Sequence, residues 1–563
     1  MTAPDGDTAS TLAPDMADRE NGEKPYENPS LGGDADDLRL EMTPSTGSSV
    51  RRDLDRTRSQ NGYGVSDEQR GDKALEAGQP ETDPYEVGWD DGDNDPSCPR
   101  SFNKARKWLI VLICACGSLT VTCASSIYTS TYAQMEAEFH NVREISDLGL
   151  STFVLGIAIG PMLLSPLSEF YGRRPIYLVS WTMYLIWLIP SAVAKNIATM
   201  VVVRFFDGLA GSAFLTVSGG TVGDLFARHE LQLPMAVFSI APFVGPSLGP
   251  LLGGFINYFT HWRWTYYVLL IWAGVMWVAI VVLVPETYHP ILLRNKARKL
   301  RKDTGDDRWL APSEKTQKTV VQAVGTSLQR PFQLLIFEPM CLSLCIFTAI
   351  LLGILYLFFG AFPLVFATNH GFNLWQIGLT FVGIGVGMVL GMLTDPVWFR
   401  IRARLMAKLE QETGVPGGSE PEFRLPSAIV GSVLVPIGIF MFGWTTYSSV
   451  HWIVPIIGSA IFGLGNLLVF TSVFTFLQHV LTDGRVQVDA YPMYAASALA
   501  ANAFVRCSFA AVFPLFGTQM YNKLGFQWAS SLLAFLTVAM IPFPYLFFKY
   551  GKKIRSKSRF AKN

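Results

Sequence analysis

The sequence predicts an all-α membrane protein with twelve transmembrane helices in two pseudo-symmetric bundles of six. Three observations lead there. Half of the 563 residues are apolar and only 16% are charged, whereas soluble domains carry about a quarter of charged residues. Beyond residue 100 lie twelve apolar runs, each long enough for a bilayer core of about 30 Å, which takes roughly 20 helical residues. A basic connection containing RNKARKLRKDTGDDRW divides these runs six from six.

Residues 1–99 hold 24 acidic and 9 basic side chains. They are rich in Gly, Pro, Ser and Asp and show no sustained apolar periodicity, so they are expected to be a disordered acidic cytoplasmic region that cannot bury enough surface to offset its ordering entropy. The basic-then-apolar opening of a secretory signal is missing, so the first run after Lys107 should act as its own insertion signal. Residues 100–285 should form the first bundle, with spans near 106–128, 147–167, 175–194, 198–222, 234–257 and 265–285. A cytoplasmic loop follows at 286–335. Residues 336–548 should form the second bundle, with spans near 336–361, 374–394, 427–446, 450–474, 490–516 and 525–548 and a polar connection at 395–426. A basic tail closes the chain at 549–563. With both termini cytoplasmic, the inner loops and ends from Arg100 onward hold thirty Lys and Arg, against Arg143, Lys195, Arg263 and Lys523 outside. That bias is the one expected of short loops.

Between spans two and three lies SPLSEFYGRRPIY (165–177), and GMLTDPVWFRIRAR ends span eight in the second half. An acid closing one helix, Glu169, and arginines opening the next, Arg173 and Arg174 after Gly172, can latch two halves together at one end. Glu169 is expected to cap a helix of the opposite half, since anions are favoured at helix N-termini; Asp395 holds the matching place in the second half. The plainer alternative is a solvated loop obeying the charge bias. In span four, Arg204 and Asp207 fall inside an apolar run, where a mid-depth charge costs about 3 kcal/mol. Their spacing of three puts them on one face, able to pair. Asp224 ends the same span, level with Arg173. Span five carries Pro242, Pro246, Pro250 and Gly254 at every fourth position, with Gly245, Gly249 and Gly253 one position earlier. One helix face is thereby stripped of side chains and short of backbone donors, which suits close packing and bending.

These stretches resemble the major facilitator superfamily, and within it the twelve-span drug:proton antiporter branch abundant in fungi. The loop signature of that family, G-x-L-x-D-R-x-G-R-[RK], is divided between the halves: Leu167, Glu169, Gly172, Arg173 and Arg174 match in the first, and Gly391, Leu393 and Asp395 in the second. Ser165, Glu169 and Phe170 depart from it. Arg204 and Gly208 match an R-x-x-x-G signature associated with proton coupling, and Asp224 looks like the relay partner of the loop arginine. Span five resembles the antiporter motif G-P-x-x-G-[PG]-x-x-x-G of exporters. WRW (262–264), PETYHPILL (285–293) and the stretch at 491–525 are similar to the family too, so the resemblance covers about residues 100–550. It implies efflux of hydrophobic small molecules, such as drugs, fungicides, toxins or secondary metabolites, driven by protons through alternating access.

In the second half, Tyr356, Phe359 and Phe362 in LYLFFGAFPLVF offer aromatic surface for an apolar ligand, although such rings are more often core or lipid-facing. Asn466, Asn502 and Arg506 lie inside spans and could line the same cavity, with Gln478 and Glu338 as further polar anchors. Glu338 and Asp489 stand next in line as proton carriers. The seven histidines sit in loops or near span ends without a ligand partner at metal spacing, no P-loop pattern is present, and the cysteines form no disulfide framework. The expectation is therefore a transporter and no enzyme, with no cofactor beyond a proton gradient, no metal and no nucleic acid. Its partners should be hydrophobic small molecules, protons and the lipid bilayer, and it should act as a monomer in the plasma membrane or the vacuolar membrane. A same-fold uptake carrier for polyamines or another small solute, and a membrane sensor without transport, are the alternatives.

Overall fold

The computed structural model describes residues 85–90, 92–227, 230–314, 319–414, 420–477 and 495–555. Gln478, Asp489, the YPMY stretch at 491–494 and residues 1–84 lie outside them. Helix α1 (Lys104–Ile127) starts where the Asn103 side chain accepts the Ala105 N–H, then passes through a 3-10 turn at Tyr128–Thr131 into α2 (Tyr132–Phe139). Helices α3 (Arg143–Tyr171) and α4 (Arg173–Ala192) join through Gly172 at φ 98°. The fourth span consists of α5 (Ile197–Gly211), capped by Asn196, and α6 (Ala213–Leu225). Helices α7 (Gln232–Phe259) and α8 (Arg263–Leu283) complete the first bundle.

The connection at 286–335, expected as a loop, contains two helices, α9 (His289–Thr304) and α10 (Val320–Phe337), the latter opened by a Thr319–Gln322 capping box. The second bundle begins with α11 (Pro339–His370), followed by α12 (Leu374–Thr380) and α13 (Val382–Leu393). The connection at 395–426 is also largely helical, as α14 (Asp395–Thr413). Both connections are polar, but they are rich in Leu, Arg, Lys and Ala, which favour helix whatever their polarity. Helices α15 (Pro426–Trp444), α16 (Ile453–Leu477), α17 (Ala495–Met540) and α18 (Pro542–Arg555) finish the described chain.

Among the described residues, eleven helical stretches are long and apolar enough to cross a membrane. The last, Ser497–Ile554, runs 58 residues and is broken at Gly525, whose φ of 77° reverses the chain and makes two crossings of it. Twelve crossings result. The first and seventh are the most enclosed, with 83% and 78% of their apolar windows buried, against 28% for α8, which turns Ile271, Val275, Val278 and Val282 outward. That spacing places the four on one helix face, as lipid contact requires. Between the halves, α3 lies along α17 and α7 along α12 and α13.

The acidic leader is not unstructured throughout. Within 85–101, the Val87 N–H reaches the Leu310 carbonyl and the Leu310 N–H reaches the Tyr85 carbonyl, both at 3.0 Å. Val87, Trp89 and Cys98 are buried in a small cluster with Leu293, Ala297 and Ala311. Lys296 pairs with Asp90 at 2.8 Å and Asp95 at 3.4 Å. The overall acidity of the leader hid these few apolar residues, which gain their partners from α9 about 200 positions away. His289 sits under this strap, its ring 5.7 Å from that of Trp89 and its Nε2 2.9 Å from the Asp224 carbonyl.

Burial pushes the His289 imidazole down to about 4, with the Asp224 carbonyl opposing and nearby Arg100 and Asp93 adding smaller effects of opposite sign. Once undocked, the ring returns to an ordinary value near 6.5. The released form therefore binds the extra proton between about pH 6.5 and 4, so docking is fully stable above that window and weakens as pH falls through it. Hydrogen exchange of residues 85–101, corrected for intrinsic rates, should be faster at pH 5 than at pH 7.5, and His289→Gln should remove most of that difference. Equal protection of the wild-type strap at both values would contradict this.

Candidate functional site

Gly172 turns the chain between α3 and α4 at a φ that only glycine adopts readily, and a Cβ there would overlap the Glu286 carboxylate. Glu286 Oε1 accepts the Arg173 N–H at 2.9 Å and Oε2 the Arg174 N–H at 3.2 Å, while Oε1 also accepts the N–H groups of Thr287 and Tyr288 at 3.0 and 2.9 Å. The acid on this helix N-terminus thus comes from the end of the same half, 113 residues along the chain. The sequence reading puts Glu169 on a helix of the opposite half and does not single out Glu286 as the cap of α4. The usable signal was the acid in PETYHP directly after span six. Glu169 itself is half-buried within electrostatic reach of Arg173.

Arg173 and Asp224 are brought together, both fully buried, with Nε 3.2 Å from Oδ2. The guanidinium also donates to Ser168 Oγ at 2.6 Å and stacks 4.6 Å from the Tyr288 ring. Arg174 donates to the Val281 carbonyl at 3.0 Å. Asp395 stands apart: it opens α14 and makes no hydrogen bond or ion pair among the described residues.

Arg204 and Asp207 are both fully enclosed, but the ion pair expected from their spacing is not made. Arg204 donates to the carbonyls of Ala124 at 2.9 Å, Ser125 at 3.2 Å and Gly149 at 3.5 Å, and lies 4.0 and 4.6 Å from the rings of Phe153 and Tyr128. The reason is local. Where α1 tightens into its 3-10 turn, the last-turn carbonyls lose regular helical partners, and a guanidinium with five donors in a fork fits that vacancy in the ladder. Neither Asp207 oxygen has a hydrogen-bond partner among the described residues, and neither has the buried hydroxyl of Tyr184, within electrostatic reach of it.

The glycine and proline stripes of α7 face different neighbours. A Cβ on Gly245 would overlap Thr122, one on Gly249 would overlap Ser126 and the backbone of α1, and one on Gly253 would press Ile127 and Ser130. Gly254 instead abuts the Leu374 carbonyl of α12, and Gly378 of α12 abuts the Pro250 carbonyl. Pro242, Pro246 and Pro250 thus sit in a helix whose glycine side is locked to α1 and whose other side lies on the opposite half.

In the second half, Tyr356 bonds Ser125 of α1 through their hydroxyls at 2.9 Å, a polar link between the halves. Phe359 and Phe362 do not line an open surface as proposed. They stack on Phe381 at 5.5 and 4.6 Å, and Phe362 also stacks on Phe442 at 5.0 Å, inside the aromatic core of their own half. Periodicity alone could not separate these two placements. Asn502 donates to Thr348 at 2.7 Å, Asn466 is fully buried, and Arg506 is half-buried over the rings of Phe470 and Phe474.

Two predictions follow from these contacts. Asp224→Asn leaves a buried guanidinium uncompensated, a loss of about 3–5 kcal/mol, whereas Glu286→Gln removes a helix-terminal charge worth about 1 kcal/mol; the melting temperature of the first variant should fall clearly further, and equal falls would refute the ranking. Gly249→Val should lower it through overpacking of about 1–3 kcal/mol or more. Gly274→Val, where a Cβ meets nothing within 4 Å, serves as the silent control.

Known proteins place this geometry. The profile of the Major Facilitator Superfamily matches residues 114–510. The chain is 52% identical over 501 residues to a protein named efflux pump atB of Aspergillus terreus, covering 88% of this chain and 95% of that protein. It is 42% identical over 480 residues to "Probable drug/proton antiporter YHK8" of Saccharomyces cerevisiae, covering 85% and 90%. In fold it matches the xylose transporter XylE of E. coli in a partially occluded inward open conformation, with TM-score 0.54 and 17% identity over 79% of this chain and 98% of that one. The enclosed arginines, the glycine–proline helix and the twelve crossings are thus those of a multi-pass membrane transporter, and the chain belongs to the major facilitator superfamily.

Proposed function

We propose that this transporter exports hydrophobic small molecules, drugs or secondary metabolites, in exchange for protons. The relatives named as efflux pumps and as a drug/proton antiporter support the direction and the coupling. One structural observation carries the reading: Asp207, enclosed beside Arg204 with no donor at either oxygen among the described residues. Burying a carboxylate charge without hydrogen bonds is costly, so a proton carried at this position does most to stabilise the closed surroundings, and its release is favoured once the helices part and water enters. Arg204 links that event to α1 through the Ala124 and Ser125 carbonyls, and Ser125 reaches Tyr356 of the other half.

The rest of the cycle follows from the seams. The Arg173–Asp224–Glu286 network ties α3, α4 and α6 to the end of α8, so the first half moves as one body. Glycine–carbonyl contacts between α7 and α12 give the halves a surface on which to rock. With the basic loops on the cytoplasmic side, both termini are cytoplasmic and Asp207 lies nearer the outer face. We place the protein in the plasma membrane, with the vacuolar membrane as the other possible site, acting as a monomer that needs a proton gradient and no organic cofactor.

Proteoliposomes test this. Wild-type protein should drive flux of a hydrophobic fluorescent dye in exchange for protons moving down an imposed gradient, and collapse of the gradient should stop it. Asp207→Asn should still bind the dye but lose the pH dependence of flux. A wild-type pH profile in that variant would move the proton site elsewhere, with Glu338 next in line, and return Arg204 to a structural role.

A further inference from the structure

Among the described residues, Arg204 and Arg506 lie deep within spans and Arg173 opens one, and the structure treats Arg506 differently. Arg173 is balanced by Asp224 and Arg204 by three carbonyls. Arg506 lies 11 residues into α17, about 16 Å along the helix from Ala495. Among the described residues it has no ion pair, and its Nε has no hydrogen-bond partner. Its neighbours are the rings of Phe470 and Phe474, 5.4 and 5.0 Å from the guanidinium carbon, the Cys507 thiol and the Tyr356 phenol. None of these is an anion at neutral pH. Ring contacts return about 0.5–2 kcal/mol, which leaves most of the cation uncompensated at a depth where charge is expensive.

The surrounding polar groups are left unmatched as well. Asn502, one turn before Arg506, uses its Nδ2 on Thr348, while its Oδ1 has no partner. Asn466, one turn before Phe470 on the same face of α16, is fully buried with neither amide atom bonded. Leaving enclosed amide groups unsatisfied costs about 1–3 kcal/mol each. Phe470 and Phe474 in turn meet Phe243 of α7, at ring distances of 5.3 and 6.2 Å, so the group lies where the second half faces the first. Arg506 is only half-buried there.

We infer that Arg506, with Asn466 and Asn502 and the aromatic wall of Phe243, Phe470 and Phe474, is the recognition site for an organic acid: an aromatic or similarly flat apolar body bearing one carboxylate. The inference rests on the export reading and narrows its substrate class. A guanidinium fork matches a planar carboxylate, which one Arg can hold by two parallel hydrogen bonds. The Asn466 amide and the Asn502 Oδ1, without partners among the described residues, can bond a hydroxyl or amide on the same molecule. The three phenylalanines supply flat apolar surface beside it.

Purified full-length protein and the probes 1-naphthoate and its neutral isostere 1-naphthamide decide the matter by calorimetric titration. Wild type should bind the carboxylate at least tenfold tighter than the amide. Arg506→Gln should abolish that preference while leaving amide affinity within about twofold. Arg506→Lys should keep part of it, since an ammonium lacks the fork, and Asn466→Leu should weaken the carboxylate several-fold. No preference in wild type, or an equal loss for both probes in Arg506→Gln, would overturn the inference. Should Arg506→Gln fail to fold, an unchanged carboxylate-to-amide ratio in both Arg506→Lys and Asn466→Leu would overturn it equally. Proteoliposome flux separates the two readings: an Arg506-dependent preference in binding with no proton-driven flux of either probe sinks export and leaves the site standing.

Discussion

A guanidinium enclosed between membrane helices must find acceptors for five N–H groups inside the protein, and much of this structure is arranged around that demand. Arg204 meets it by binding the last-turn carbonyls of α1, which holds the 3-10 turn at Tyr128–Thr131 in place. Arg173 meets part of it with Asp224 and Ser168, binding the start of α4 to the ends of α3 and α6. The same backbone turn that exposes the first N–H groups of α4 invites Glu286, so one glycine at positive φ and one acid join four helix ends. Each arginine is therefore a tie between elements distant in sequence, and the first half acquires its rigidity from them as much as from its apolar packing.

Rigidity within a half and freedom between halves require different contacts, and α7 supplies both from two faces. Gly245, Gly249 and Gly253 bring its backbone so close to α1 that any side chain would collide. One residue further around, Gly254 meets the Leu374 carbonyl and Pro250 offers its own carbonyl to Gly378. This second seam is backbone against backbone. At these two glycines no side chain has to leave a socket for the surfaces to shift, while Phe255 and Trp375 pair across the same seam at 5.7 Å. The prolines remove ladder donors along the same helix, which lets it bend as the seam moves.

What the sequence disclosed and what it concealed divide along physical lines. The twelve crossings were legible because bilayer burial demands long apolar runs, and the α7 stripes because helical spacing converts a period of four directly into a face. Arg173 and Asp224 could be matched because both fall at the same end of their spans. Glu286 was passed over because a cap supplied across 113 residues leaves as its one local trace the acid in PETYHP. Arg204 and Asp207 misled because i, i+3 proximity makes pairing possible while the freed carbonyls of α1 compete for the same donors. The strap at 85–101 was lost in an acidic average, although Val87, Trp89 and Cys98 were there to be weighed individually. Phe359 and Phe362 share their periodicity with any cavity-lining pair, and only the positions of Phe381 and Phe442 show them to be core.

These contacts join into one route through the centre of the molecule. Asp207 lies beside Arg204, Arg204 grips Ala124 and Ser125, the Ser125 hydroxyl meets Tyr356, and Tyr356 lies within electrostatic reach of Arg506. The element common to both ends is the turn in α1, where helix gives way to 3-10 geometry. A charge change at Asp207 alters what Arg204 must neutralise, and an anion at Arg506 alters the field at Tyr356. Either event bears on the same short stretch of backbone and on the hydroxyl link across the halves. Coupling of this kind needs only a modest difference between two arrangements, about 1–3 kcal/mol, and a turn held by two hydrogen bonds from one arginine is an element whose rearrangement is of that size.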